Sequence, residues 1–284
     1  MRSAAIILLG LLAGIPASVS AQSGVLDRAR KAGVMTIGFI EDGAPFSFAG
    51  ADRQAQGFAV DLCREVAVGV RAQLKLEKLD VRWVPLTVGN RLDAVRTGKV
   101  DLECSTTTWT LSRQETVDFS LITFLDGGSI LSRKGSELVR LSDADGKRIA
   151  VIGGTTTERA LREALAGRSL RSELVPVSSR TDGLKLLEDG KVDGFASDRT
   201  TLIGIVATGS TGLGFRLMDE DFSVEQYALS LPRGDYEFRL AVNRVLARIY
   251  RSGEIVKIYN RWLGGLGPPS LLLSATYFVQ SLGE

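Results

Sequence analysis

The stretch "STTTWTLSR", residues 105–113, sets Ser105, Thr106, Thr107 and Thr108 ahead of the single guanidinium of Arg113. Short hydroxyls and backbone N–H groups bind anions, and a planar guanidinium fork matches a carboxylate in a bidentate, charge-assisted pair. A small acid suits such a pocket. A Ser/Thr-rich turn that caps the next helix, with Arg113 on a solvated face, explains the same residues. A second threonine run, "GGTTTE", opens a later helix, so that Thr155, Thr156 and Thr157 sit where unpaired N–H groups and the positive dipole end favour an anion. Thr155 and Glu158 fit a capping box, which accounts for the first threonine but not for the other two. Asp198, closing "FASD", is a carboxylate at a strand end, where burial is costly unless a cation meets it. Carboxylate receptors in one part and an ammonium receptor in another describe a zwitterion site, and an α-amino acid is the ligand expected there.

The elements that must position these residues alternate. "VMTIGF" reads as a strand, and "GFAVDLCREVAVGV" carries Phe58, Leu62, Val66 and Val70 at helical spacing. "VRWVPL" is a strand, "NRLDAVRTG" a helix stopped by Gly98, and "KVDLECS" a strand with Val100, Leu102 and Cys104 on one face. "KRIAVIGGTTTERALREAL", "TDGLKLLEDG" and "KVDGFAS" repeat the rhythm. Two tail helices follow, Tyr236 to Arg251 and Glu254 to Trp262. The class is α/β. "RLDAVRTGKVDLECST" and "GLKLLEDGKVDGFASD" share a helix, a Gly-Lys-Val-Asp turn and a strand, and four residues past each shared aspartate stands a serine, Ser105 or Ser197. That echo implies two related units, each offering the crevice beyond its strand ends to a ligand.

Composition removes other chemistries. The chain has 284 residues, no histidine, two cysteines and a net charge of +2 without a basic run, so nucleic-acid surfaces, Ser-His-Asp triads and the usual zinc or iron sites are not expected. No metal, cofactor or catalytic residue is assigned. Arg2, the apolar run from Ala4 to Ile15 and the small residues Val19, Ser20 and Ala21 read as a signal peptide, residues 1–21, cut after Ala21. An uncleaved anchor is the alternative. The expected location is the periplasm. Cys63 and Cys104 can pair in an oxidising compartment, but two separate buried thiols are the favoured reading.

Taken together and in order, "GFAVDLCREVA", "VPLTVGNRLDAVRTGKVDLECSTTTWTLSRQETVDFS", "GGTTTE", "GKVDGFASD", "EQYALSLPRGD" and "GEIVKIYNRWL" resemble the periplasmic amino-acid-binding proteins of ABC importers, family 3 solute-binding proteins, over Val34 to Trp262. The resemblance implies a two-lobed, type II periplasmic-binding-protein-like fold. Lobe 1 is residues 22–126 with 228–284 and lobe 2 is residues 127–227, with crossings near Asp126 and Tyr227. It implies an L-amino acid ligand, an ABC permease as partner and a monomer. By matching motif, Arg113 takes the α-carboxylate with Thr106, Thr108 and Thr156, and Asp198 takes the α-ammonium. Ser105 belongs to the same hydroxyl cluster. Arg91 matches the side-chain carboxylate receptor of glutamate/aspartate binders, and Arg180 falls where those binders place a histidine. Ile40 stands where they carry a further arginine, which leaves acidic specificity favoured rather than fixed. Rival readings pair Arg91 with Asp93 on a helix surface and place Arg180 in a solvated loop. Phe46 and Phe48 either wall the ligand or pack in the core. A cyclohexadienyl-dehydratase-like enzyme, with Glu103 or Asp198 as acid or base, and a sensor docking to a signalling receptor are the alternative functions. The segment after Trp262 is read as an arm across a lobe.

Overall fold

The computed structural model describes residues 24–208 and 214–281. The leader and its cleavage point lie outside them.

Two five-stranded sheets are built on one plan. The first runs in the order Asp80–Leu86, Val34–Ile40, Leu102–Cys104, Glu225–Pro232, Val117–Asp126; its first three strands are parallel and the last two are antiparallel to their neighbours. The second runs Glu173–Val177, Arg148–Ile152, Gly194–Asp198, Gly128–Arg133, Phe215–Leu217, again three parallel and two antiparallel. The echoed strands Leu102–Cys104 and Gly194–Asp198 hold the middle place in their sheets, which gives the internal repeat its physical meaning. The chain passes from the first sheet to the second between Asp126 and Gly128, and returns between Leu217 and Glu225.

Helical periodicity decides what covers the sheets. Phe58, Leu62, Val66 and Val70 of the helix Phe58–Gln73 are all at most 1 % exposed and face the first core, together with Phe238, Val242 and Ile249 of Tyr236–Ser252. Gly57, ahead of the first of these helices, has φ of 127°, and a Cβ there would lie 2.3 Å from the Phe46 carbonyl oxygen, so only glycine lets the chain enter the helix at that angle. Gly98, at φ of 73°, ends the helix after Arg91–Arg96 as expected. The second unit has its own cores, around Ile149, Val151 and Leu161 on one face and Leu187, Phe195 and Leu202 on the other.

Cys63 and Cys104 form a disulfide, with Cα atoms 6.4 Å apart, where separate thiols were favoured. Sequence could not reveal that the helix lies directly on the strand carrying Cys104. The segment after Trp262 ends in a helix, Leu271–Gln280, that packs on the first unit: Tyr277 donates to the Thr123 carbonyl at 2.8 Å, and Gln280 both donates to and accepts from the Ile122 backbone.

Candidate functional site

The residues following the middle strand of the first sheet are buried, and their hydroxyls turn first to a carboxylate behind them. Glu103 has no exposed surface, and burying its charge is tolerable only because hydroxyls meet both oxygens. Thr107 donates to Oε2 at 2.8 Å, Ser230 donates to it at 2.9 Å, and Ser105 donates to Oε1. With its one proton committed to Glu103, Ser105 can only accept on its other side, and Arg91 Nη1 donates to it at 3.2 Å. Arg91 is 4 % exposed, and its burial pulls its pKa below the usual guanidinium value, against the raising effect of Glu103. It is not paired with Asp93, which binds Arg96 instead. The sealing of Glu103 behind Ser105 and Thr107 keeps that carboxylate from the cleft.

The second threonine run divides its labour. Thr155 caps the helix Thr156–Gly167, accepting from Glu158 N at 3.1 Å, while Glu158 returns to Gly154 N at 2.8 Å rather than to the cap residue itself. Thr156 and Thr157 remain free of that duty. Thr157 donates to Asp198 Oδ1 at 2.8 Å, and Thr156 donates to Glu225 at 2.9 Å.

Between the two units lies a cavity of about 20 Å³, lined by Arg91, Thr106 and Thr108 of the first and by Thr156, Arg180, Ser197 and Asp198 of the second, among others. Its walls touch across the gap: Arg180 Nη2 donates to Thr106 Oγ1 at 3.1 Å, and the Thr108 and Thr156 hydroxyls are 3.2 Å apart. That space holds about one water molecule, so admitting an amino acid requires the units to part or side chains to withdraw. Arg180 is 4 % exposed and begins the helix Arg180–Glu188, not a solvated loop; Asp42 of the first unit pairs with it.

Arg113 stands apart from this group. Its Nη1 donates to the Thr108 carbonyl at 2.7 Å, and the residue borders an adjoining cavity of about 490 Å³ that shares Thr155 and Thr156 with the central one. Burial, then the neighbouring Arg91, bring its pKa down to about 10, so it stays charged at neutral pH.

Three carboxylates gather where the chain crosses between the sheets. Tyr227, 1 % exposed, donates to Asp198 Oδ2 at 2.5 Å and lies 3.1 Å from Asp126 Oδ2. Glu225 accepts from Thr108 at 2.7 Å and from Ser223 at 2.8 Å, besides Thr156. Burial, then Asp198, push Asp126 up to about 7 and Glu225 upward from the ordinary carboxylate value. Sequence reasoning missed Asp42, Asp126, Tyr227 and Glu225 as members of this site; a polar Glu-Gln-Tyr opening on an apolar strand was the one available signal. Of the two readings left open for Phe46, core packing holds: it packs edge-on against Phe58, Phe124 and Tyr227, and Phe48 meets Trp262. Neither lines the central cavity.

The chain is similar over residues 35–265 to the family described as bacterial extracellular solute-binding proteins, family 3. It is 29 % identical over 263 residues to the L-glutamate/L-aspartate-binding protein of Pseudomonas aeruginosa, covering 92 % of this chain and 87 % of that one. It is 27 % identical over 271 residues to the glutamate/aspartate import solute-binding protein of Escherichia coli, covering 94 % and 90 %. Among solved structures, a mutant of ArgBP from T. maritima superposes with a TM-score of 0.74 at 26 % identity, covering 84 % of this chain and 99 % of that one. The ancestral amino acid-binding protein AncCDT-1, a precursor of cyclohexadienyl dehydratase, gives 0.73 at 26 %, covering 84 % and 98 %.

Proposed function

Because the chain belongs to the bacterial extracellular solute-binding proteins of family 3, we propose that it captures an L-amino acid between two lobes and delivers it to an ABC permease. An acidic side chain is favoured. The lobes are residues 22–126 with 228–284, and residues 127–227, except that Glu225, Gln226 and Tyr227 already pair within the first sheet. Residues 1–21 are proposed as the export signal that takes the chain to the periplasm.

The observation that carries this reading is one cavity with opposite charges brought to it from both sides: Arg91 from the first unit, Asp198 and Arg180 from the second. Asp198 receives the α-ammonium. Arg113 takes the α-carboxylate as the lobes part, helped by the hydroxyls of Thr106, Thr108 and Thr156. Arg91, steadied through Ser105 by Glu103, and Arg180 face the side chain. The names of the glutamate- and aspartate-binding relatives support an acidic ligand, while Ile40, buried in the first unit at 2 % exposure, brings no cation of its own.

A thermal-shift panel of the common L-amino acids tests the proposal. A ligand at a hundredfold its dissociation constant adds about 2.7 kcal/mol to stability, which raises the melting temperature by several degrees in a chain of this size. Glutamate or aspartate is expected to give the largest shift. A panel in which no L-amino acid moves the transition rejects the function.

A further inference from the structure

The short strand Asp42–Gly43 belongs to the small sheet attached to the first unit, yet its Asp42 side chain also reaches the second. Asp42 Oδ2 accepts the backbone N–H of Arg180 at 2.8 Å, and Oδ1 accepts Arg180 Nη1 at 3.4 Å. That N–H is the first of the helix Arg180–Glu188, one of the donors a helix start leaves without an internal partner. Ser179, the cap residue, serves Asp182 N at 3.1 Å, so the first N–H is served from across the cleft, by a carboxylate placed at the positive end of the helix dipole.

Two residues on, the same segment meets the second unit again. Gly204, within the helix Arg199–Thr208, lies so close to it that a Cβ would stand 2.4 Å from the Ala44 carbonyl oxygen and 2.6 Å from Pro45 Cδ. Neither atom belongs to a flexible side chain that can withdraw. One polar contact and one steric contact, on different helices, therefore seat a single four-residue segment.

We propose that residues 42–45 form a closing latch, with Asp42 as a positioning residue for Arg180 and Gly204 as the seat. The proposal rests on the reading that two lobes open and close around a ligand. Both contacts join residues of different units, so they exist only while the units are together, and their energy enters the lifetime of the closed state. Asp42 also fixes the guanidinium whose Nη2 reaches Thr106, and the Arg180 Nε, buried without a hydrogen-bond partner, is left as a donor on the cavity-lining side chain. The pair is mostly shielded from water, with the Asp42 side chain 25 % exposed and that of Arg180 5 %.

Single-molecule energy transfer between dyes on Glu77→Cys and Glu163→Cys, both exposed and one on each unit, tests the latch in the full chain. Closed-state dwell times are recorded in buffer, and with L-glutamate and L-glutamine, for the parent, Asp42→Asn and Gly204→Ala. Each variant is expected to shorten the closed dwell about tenfold in buffer, Gly204→Ala by the same factor with either amino acid and Asp42→Asn by more with L-glutamate, whose side chain Arg180 faces, with circular dichroism and melting temperature like the parent's. Unchanged dwell times in both variants overturn the latch, as does a parent that never closes. If neither amino acid alters the parent's distribution yet both variants shorten the dwell in buffer, the proposed ligand class falls and the latch stands.

Discussion

The Tyr227 hydroxyl, on the strand that brings the chain back to the first sheet, lies 2.5 Å from Asp198 Oδ2 on the second. The same oxygen is 3.1 Å from Asp126 Oδ2, so one phenolic proton is set between two carboxylates. It is here that the proposed ligand ammonium would meet Asp198.

These gathered carboxylates make stability depend on pH. Folded Asp126, pushed up to about 7 by burial and by Asp198, holds its proton well above the point near pH 4 at which an unfolded aspartate releases it. Between those values the folded chain binds more protons, so stability falls as pH rises, by at most about 1.4 kcal/mol per pH unit from this group, and levels off above pH 7. Glu225, raised for the same two reasons, acts in the same sense. Urea unfolding from pH 4 to 8 checks this, and Asp126→Asn is expected to flatten the slope; an unaltered slope assigns it elsewhere.

Arg91→Ala is expected to weaken glutamate and aspartate at least about tenfold more than glutamine or leucine, since only the acidic side chains use its charge. It also leaves Ser105 and the buried Glu103 without their cation. Calorimetric titration of the four ligands decides, and equal losses across them reject the side-chain role.

Arg113→Ala removes the proposed α-carboxylate partner and is expected to weaken every amino acid by roughly 2–5 kcal/mol, the range for truncating one member of a buried charge pair. Arg113 does not line the central cavity with the units together, so a loss well below this range would place the carboxylate on another cation. Titration of the variant with glutamate and leucine separates the two outcomes.

The Cys63–Cys104 bond closes a loop with a sequence separation of 41, so replacing both cysteines by serine is expected to lower stability by about 3–4 kcal/mol. Denaturant midpoints of the two proteins measure it. A variant as stable as the parent would mean that the core around Leu62 and Leu102 holds the two elements together without the bond.

Much of the fold was legible because its evidence is local. The stripe Phe58, Leu62, Val66, Val70 specified a helix and its buried face, and the twice-used Gly-Lys-Val-Asp turn pointed to two strands that prove to be the middle ones of two similarly built sheets. The hydroxyl runs and Asp198 were legible as donors and charge at strand and helix ends, Arg91 and Arg180 only through the family resemblance, and the structure brings those three charged residues around one cavity. What escaped notice depends on partners remote in sequence. Asp42 meets Arg180, 138 positions away, and Thr108 meets Glu225, 117 positions away, through topology alone. Phe46 was left between two readings for another reason: an aromatic beside a turn has the same local pattern whether it lines a pocket or fills a core.

The two-sided charge arrangement is tested most directly by titrating the parent protein with L-glutamate and with its 2-oxo counterpart, which keeps both carboxylates and carries a carbonyl oxygen in place of the ammonium. With Asp198 receiving that ammonium, glutamate is expected to bind at least about a hundredfold more tightly. Equal affinities for the two would contradict it.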